Sequence, residues 1–164
     1  MASFAAAAGV SLSMTRTIAA PRERVFEAWS QPQHLKLWFG PSQEFETEAE
    51  VDLRVGGRYK LRMKHPSGAS HTVFGEYVAI EAPEKLVYTW SWESGMATDT
   101  LVSVEFRDLD GQTEVELTHE RLPSDESCAE HTKGWTGCIN RLGGLFGSGV
   151  DSGEPCGVAG ESEG

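Results

Sequence analysis

The clearest pattern in this chain is the alternation of polar and apolar residues over two neighbouring stretches. Glutamates occupy every second position from Glu44 to Glu50, and basic residues occupy every second position from Arg58 to Lys64. A period of two is typical of a β-strand with one exposed and one buried face. We expect a hairpin that turns near Arg54 and pairs Glu50 with Arg58 and Glu44 with Lys64. Opposite charges on the exposed face disfavour other registers.

Further alternating stretches predict a larger antiparallel sheet. The most regular is Thr113–Glu120, whose apolar residues and His119 share one face. Clusters of Pro, Gly, Ser and Asp separate the stretches and predict turns between them. The other predicted strands are Thr15–Ala19, His71–Ala82, Lys85–Glu93 and Thr98–Arg107.

Helical spacing of apolar residues predicts three helices. Pro21 precedes a short helix, Arg22–Ser30, at a position where proline is well tolerated, and Pro32 begins a second. Ser124 is expected to cap a longer helix that runs to about Phe146. Its apolar stripe consists of Cys128, His131, Trp135, Ile139, Leu142 and Phe146.

The order of these elements predicts an α+β fold. One strand is followed by two short helices, six strands and one long helix. The apolar face of the sheet must be buried, and only the last helix is long enough to cover it. We therefore expect a curved antiparallel sheet of about seven strands, wrapped around the C-terminal helix with a cavity between them. This domain is expected to span residues 14–146, with a disordered extension at 1–13 and a disordered Gly/Ser/Glu tail at 147–164.

Composition excludes several classes of protein. The 164 residues carry a formal net charge of −11, which argues against a nucleic-acid surface. No apolar run reaches the length of a membrane span. The cysteines show no CxxC spacing, and a shared helix would separate Cys128 and Cys138 by about 15 Å. A reducing, cytoplasmic setting is expected.

Several short motifs follow one another in an order that resembles a known family. They are Ile18-Ala19-Ala20-Pro21, Val25-Phe26-Glu27-Ala28-Trp29, Leu37-Trp38-Phe39, Asp52-Leu53-Arg54-Val55-Gly56-Gly57-Arg58-Tyr59, Gly75-Glu76-Tyr77, Pro83-Glu84-Lys85-Leu86-Val87-Tyr88-Thr89-Trp90 and Gly134-Trp135. Through them the chain resembles, from Met14 to about Phe146, the family named for the C-terminal domain of the activator of heat-shock-protein-90 ATPase. That family resembles the birch-pollen allergen and the steroidogenic-regulator lipid-transfer domains, which share the helix-grip fold.

The resemblance implies a helix-grip fold with an internal pocket more firmly than it implies an activity. Members of the family look like ligand binders, small cyclases, hydrolases and chaperone partners. The eukaryotic chaperone activators have a separate N-terminal chaperone-binding domain, for which this chain has no room. A chaperone role therefore ranks below ligand binding.

The candidate ligand-binding residues are apolar, aromatic or imidazole side chains expected to face the pocket. Tryptophan and tyrosine carry a polar tip on an apolar body, which suits a pocket that needs a few donors. For each of them, simple filling of the core is the alternative. The candidates are Trp38, Phe45, Tyr59, Met63, Tyr88, Trp90, His119, His131 and Trp135.

His119 and His131 are also the candidates for proton transfer. They are expected to face one cavity from the last strand and the last helix, where an imidazole could move a proton. A buried histidine is more often a hydrogen-bonded part of the core. No two histidines have ligand spacing on a common element, so no metal site is predicted. No nucleophile elbow or phosphate loop is present, and no cofactor is expected.

We therefore expect a cytoplasmic protein that binds a small hydrophobic or amphipathic molecule between the sheet and the last helix. One alternative is a cyclase- or hydrolase-type enzyme that uses a pocket histidine. Another is an interaction module that modulates a chaperone ATPase, with the chaperone as its partner. Neither nucleic-acid binding nor membrane insertion is expected.

Overall fold

The computed structural model describes residues 10–40, 44–95 and 97–146, and these form the predicted α+β fold. Seven antiparallel strands make one sheet in the order β1-β7-β6-β5-β4-β3-β2, so β1 and β2 are its edges. The strands are β1 Val10–Ile18, β2 Glu46–Val51, β3 Arg58–Lys64, β4 Ser70–Glu81, β5 Lys85–Trp92, β6 Thr100–Leu109 and β7 Gln112–Leu122. The helices are α1 Arg22–Ser30, α2 Pro32–Trp38 and α3 Asp125–Leu145.

The first strand begins earlier than predicted. It starts at Val10, and Leu12 lies opposite His119 of β7 with only 1% of its surface exposed. Residues 10–13, expected to be part of the extension, therefore belong to the sheet. Apolar and polar residues already alternate in Val10-Ser11-Leu12-Ser13, but this stretch follows a run of alanines that shows no such alternation. Residues 1–9 and 147–164 lie outside the described residues, and their expected disorder stays a prediction.

The β2–β3 hairpin forms as predicted, but its register was wrong by two residues. Glu50 pairs with Lys60 instead of Arg58. Asp52 lies opposite Arg58, to whose carbonyl oxygen its N–H donates at 2.9 Å. The turn is therefore centred on Val55. Because the shift is an even number of residues, every side chain keeps its predicted face.

The shifted register changes which charges meet on the exposed face. Glu48 lies 2.8 Å from the ammonium of Lys64 and 3.9 Å from the guanidinium of Arg62. Hydrogen bonding to Lys64 lowers the pKa of Glu48. Glu44 precedes the strand and reaches the ring of His65 at 3.0 Å. Exposed pairs of this kind contribute little to stability, about 0–1 kcal/mol each.

Aromatic side chains fill the deep part of the space between the sheet and α3. Trp29 of α1 packs at 4.8 Å from Trp38 of α2 and at 6.3 Å from Trp135 of α3, measured between ring centroids. Ser124 caps α3 as predicted, accepting a hydrogen bond from the Ser127 N–H at 3.0 Å. The helix buries one face, made up of Cys128, His131, Thr132, Trp135, Cys138, Ile139, Leu142 and Gly143.

Two contacts tie the end of α2 to α3. The guanidinium of Arg141 donates hydrogen bonds to the carbonyl oxygens of Leu37, Phe39 and Gly40 at 3.3–3.4 Å. The Gly40 N–H donates to the sulfur of Cys138 at 3.3 Å. The last carbonyls of a helix have no partners within it, so Arg141 provides a donor for Leu37 at the end of α2 and for the two residues that follow the helix.

Arg16 places a positive charge on the inner face of β1. The residue is 6% exposed and lies between the buried Met14 and Ile18. Its Nη1 donates to the Thr15 carbonyl at 3.3 Å, whereas Nε and Nη2 have no hydrogen-bond partner among the described residues. Buried polar groups without partners carry a desolvation cost, so this side chain opposes folding.

We predict that Arg16→Met stabilises the protein by about 1–3 kcal/mol, because it removes two unpaired buried donors and keeps an unbranched apolar stem. Urea unfolding followed by tryptophan fluorescence measures the change. Arg58→Met on the exposed face of β3 is the matched control and should change stability by less than about 0.5 kcal/mol. Loss of stability in Arg16→Met would contradict this account.

We predict that Gly75→Ala destabilises the protein by about 2–3 kcal/mol, because an added Cβ would clash with the Thr89 carbonyl and approach the Tyr59 ring at 2.8 Å. Gly144 of α3 has open space around the same position. Gly144→Ala should instead raise stability by about 0.5–1 kcal/mol through helix propensity. Thermal and urea unfolding of both variants measure the two changes in stability. Equal changes in the two variants would contradict this prediction.

Candidate functional site

A half-open cavity of about 430 Å³ lies where the aromatic packing beneath α3 ends. Its walls come from α3, from the inner face of β3–β5 and from the segments that flank α2 and β2. Most of its inner wall is apolar, and charged residues occur only on the α3 side. The lining residues are Phe39, Phe45, Met63, His71, Trp90, Trp92, Glu130, His131, Lys133, Gly134, Trp135 and Cys138.

Five of the nine candidate residues line this cavity. They are Phe45, Met63, Trp90, His131 and Trp135. Phe45 is half-buried, whereas the other four are almost completely buried and support the wall. Their role as ligand contacts stays a prediction.

The two candidate tyrosines do not line the cavity. The Tyr59 hydroxyl donates to the Thr89 carbonyl at 2.5 Å, and the Tyr88 hydroxyl accepts from the Trp29 indole at 3.1 Å. Burial raises the pKa of both phenols well above the usual value. Tyr77 packs against both rings, so the three tyrosines form a separate part of the core.

Trp38 and His119 are also placed away from the cavity. The Trp38 indole donates to the Ala28 carbonyl at 2.9 Å and holds α2 against α1. His119 is fully buried behind Trp90 and Trp135. For these two residues the structure favours the alternative that they fill the core.

His131 joins α3 to the end of β5 through two hydrogen bonds that define its tautomer. Its Nε2 accepts from the indole N–H of Trp92 at 2.9 Å. Its Nδ1 lies 2.8 Å from the Ser127 carbonyl, which can only accept, so Nδ1 carries the proton. The ring is therefore neutral, with both nitrogens engaged.

His119 of β7 forms a second indole–imidazole link, a hydrogen bond between a tryptophan and a histidine, deeper in the core and with Trp135 of α3. Its Nδ1 accepts from the Trp135 indole at 3.1 Å, so Nε2 carries the proton and donates to the Thr100 hydroxyl at 2.8 Å. That hydroxyl donates in turn to the Trp90 carbonyl at 2.7 Å. The two imidazoles meet edge to face, with centroids 4.9 Å apart.

Burial keeps both histidines uncharged. Desolvation lowers the pKa of His119 well below its usual value, and the neighbouring His131 lowers it further. Desolvation also lowers the pKa of His131, although Ser127 and Glu130 oppose the change. A proton on His131 Nε2 or His119 Nδ1 would displace an indole donor. Both rings are therefore suited to holding α3 on the sheet and poorly suited to moving a proton.

Sequence reasoning missed several lining residues. Trp92 lies two residues after Trp90 in the predicted strand Lys85–Glu93, so the alternation places both on one face. Phe39 directly follows the candidate Trp38, and Cys138 lies three residues after the candidate Trp135 on the same helix. Only the packing shows that both line the cavity. The Cys138 thiol is buried, which raises its pKa to about 12 and leaves it protonated at neutral pH. Glu130 and Lys133 lie on the exposed side of α3.

Among the residues that the structure describes, no group of three His, Cys, Asp or Glu side chains is arranged to hold a metal ion. None of the helices in that part of the chain is long and apolar enough to cross a membrane.

We predict that stability falls as the pH drops from about 8 to about 5.5. The unfolded chain binds protons on these histidines near pH 6.5, whereas the folded chain resists protonation until lower pH. Acid therefore favours the unfolded state across this window. Urea unfolding at a series of pH values measures the slope. The His119→Asn variant should be less stable at pH 8, but its stability should depend less steeply on pH. If its pH dependence equals that of the parent protein, His119 is not a source of the acid sensitivity.

Solved structures of similar fold come from several bacteria. A Chromobacterium violaceum protein is 26% identical, with a TM-score of 0.76 over 83% of this chain and 96% of its own. An AHSA1-like protein from Aeromonas hydrophila is 27% identical, with a TM-score of 0.69 over 81% and 89% of the two chains. An AHSA1 protein from Silicibacter pomeroyi, 22% identical with a TM-score of 0.73 over 82% and 96%, shares the fold.

No curated protein matches the chain significantly in sequence. The family model described as "Activator of Hsp90 ATPase homolog 1-like protein" matches residues 19–147. This range contains all the cavity-lining residues and the two indole–imidazole links. The chain belongs to the family of proteins like the activator of Hsp90 ATPase homolog 1, a helix-grip family.

Proposed function

We propose that this protein binds a small hydrophobic or amphipathic molecule in the cavity beside α3. The observation that carries the proposal is the half-open cavity of about 430 Å³ with aromatic walls. Pockets of this size and character are typical of small-molecule sites, where apolar burial provides most of the affinity. The helix-grip family, whose fold commonly encloses a ligand cavity, supports the same function.

The state of the histidines supports binding over catalysis. His131 is the one candidate for proton transfer that lines the cavity, and both of its ring nitrogens are engaged. The Cys138 thiol is protonated and already accepts a hydrogen bond, which makes it a poor nucleophile. Catalysis by either of these two groups would first require its release from these hydrogen bonds.

A chaperone interaction is the second candidate, because the family is described by its likeness to an activator of Hsp90 ATPase. Stimulation of a purified Hsp90 ATPase by this protein would support it. If the protein binds a ligand but does not stimulate the ATPase, ligand binding is the one function of the two that is supported. The expected cytoplasmic location stays a prediction.

We predict that Gly134→Leu abolishes binding of N-phenyl-1-naphthylamine, a neutral fluorescent probe of apolar sites. Gly134 lines the cavity, and an added Cβ meets no atom within 4 Å, so the leucine side chain begins in open space and is expected to occupy part of the cavity. We expect at least a tenfold loss of affinity in fluorescence titration, because the probe can no longer be buried.

Gly144→Leu is the matched control, since it makes the same change on the same helix outside the cavity. It should bind the probe like the parent protein. Equal binding by the parent and Gly134→Leu would place the probe elsewhere and contradict the proposal. Native mass spectrometry of the purified protein, compared with its denatured mass, would then identify any retained natural ligand.

A further inference from the structure

The walls of the cavity present aromatic rings in several orientations. The planes of Trp90 and Trp92 are nearly perpendicular at 88°, and so are those of Phe39 and Trp135. Trp92 and Phe45 are only partly buried and provide the accessible ring surface. The faces of indole rings attract cations within about 6 Å of the ring centre, most strongly where water is excluded.

The inner wall offers little to a ligand that needs hydrogen bonds. Both ring nitrogens of His131 are engaged, and the indole nitrogens of Trp92 and Trp135 donate to histidines. The Trp90 indole nitrogen has no hydrogen-bond partner in the described part of the chain, but it is occluded from the surface. The Cys138 sulfur accepts from the Gly40 N–H. An N–H donor placed against this buried wall would therefore lose its hydrogen bonds to water without replacement. His71 and Glu130 also line the cavity, but they are exposed and offer polar groups only where the lining meets solvent.

The charges near the cavity favour a cation over an anion. Because His131 is neutral, the buried residues of the lining include no cation that could pair with a carboxylate or phosphate. Glu130 and Lys133 lie at the α3 side of the mouth. The negative charge of Glu130 acts on the imidazole of His131, where it opposes part of the lowering of the pKa that burial causes. The formal net charge of −11 also attracts cations towards the protein.

We infer that the cavity recognises a hydrophobic quaternary ammonium, a cation with no N–H donors attached to an apolar body. Its methyl groups would pack against Trp92 and Phe45, and its charge would interact with the ring faces and with Glu130. Such a cation has a low desolvation cost compared with a primary ammonium, which carries three donors. This inference depends on the proposed binding function and specifies its ligand class.

Displacement of N-phenyl-1-naphthylamine by four phenols that differ in the group at position 3 tests the inference. They are 3-hydroxyphenyltrimethylammonium, its neutral isostere 3-tert-butylphenol, protonated 3-(aminomethyl)phenol and 3-hydroxyphenylacetate. We predict that the quaternary ammonium binds at least about fivefold tighter than its isostere, as expected for a partly desolvated cation–π contact. The primary ammonium should bind more weakly than the quaternary one, and the anion most weakly.

Two exposed variants separate charge from shape. Glu130→Gln should lower the preference for the quaternary cation over its isostere by about twofold to fivefold, and Lys133→Gln should raise it by a similar factor. Neither variant should change the affinity for 3-tert-butylphenol, which carries no charge. The effects should decrease with added salt, because both residues are exposed.

The outcomes distinguish this inference from the function on which it depends. If the probe binds but the isostere competes as well as the cation, the cationic ligand class is wrong and the cavity function stands. If both charge variants leave the preference unchanged, Glu130 and Lys133 have no part in selection and the inference fails. If neither the probe nor any of the four compounds binds, the inference and the proposed function fail together.

Discussion

Two indole–imidazole hydrogen bonds join α3 to the sheet, and the rest of the interior is arranged around them. Trp92 donates to His131, and Trp135 donates to His119, so each bond crosses between the helix and a strand. Each imidazole accepts on one nitrogen and donates on the other, which requires the neutral form. Replacing either member of a pair would leave a buried polar group without a partner, and that constraint specifies one position of α3.

The position of α3 determines how much open space the fold retains. Trp135 fills the deep region against Trp29 and Phe39, which leaves the cavity at the mouth. Because the deep region is already close-packed, a ligand would contact the outer aromatic rings and the charged side of α3 rather than enter the centre of the domain. The same helix thus closes the core and forms one wall of the candidate site.

The candidate site was predictable in part from the alternation of residues along each strand. That pattern correctly placed Trp90 and His119 on the inner face, and helical spacing placed His131 and Trp135 opposite them. It could not show that Tyr59 and Tyr88 pack into a separate cluster, because facing inward does not specify a neighbour. Nor could it show that Trp92, at the end of the strand, would border the cavity. Whether an inward-facing residue packs in the core or borders the cavity depends on the curvature of the sheet, which a local pattern does not encode.

Periodicity along the chain was enough to determine the α+β class, the order of the elements and the face on which most side chains lie. These properties follow from local backbone geometry, since strands repeat every two residues and helices about every 3.6. The tertiary structure alone decided the hairpin register, the tautomers of the histidines and which aromatic rings remain beside open space. Each of these depends on contacts between residues far apart in the chain, such as His119 with Trp135 and Tyr77 with Gly57.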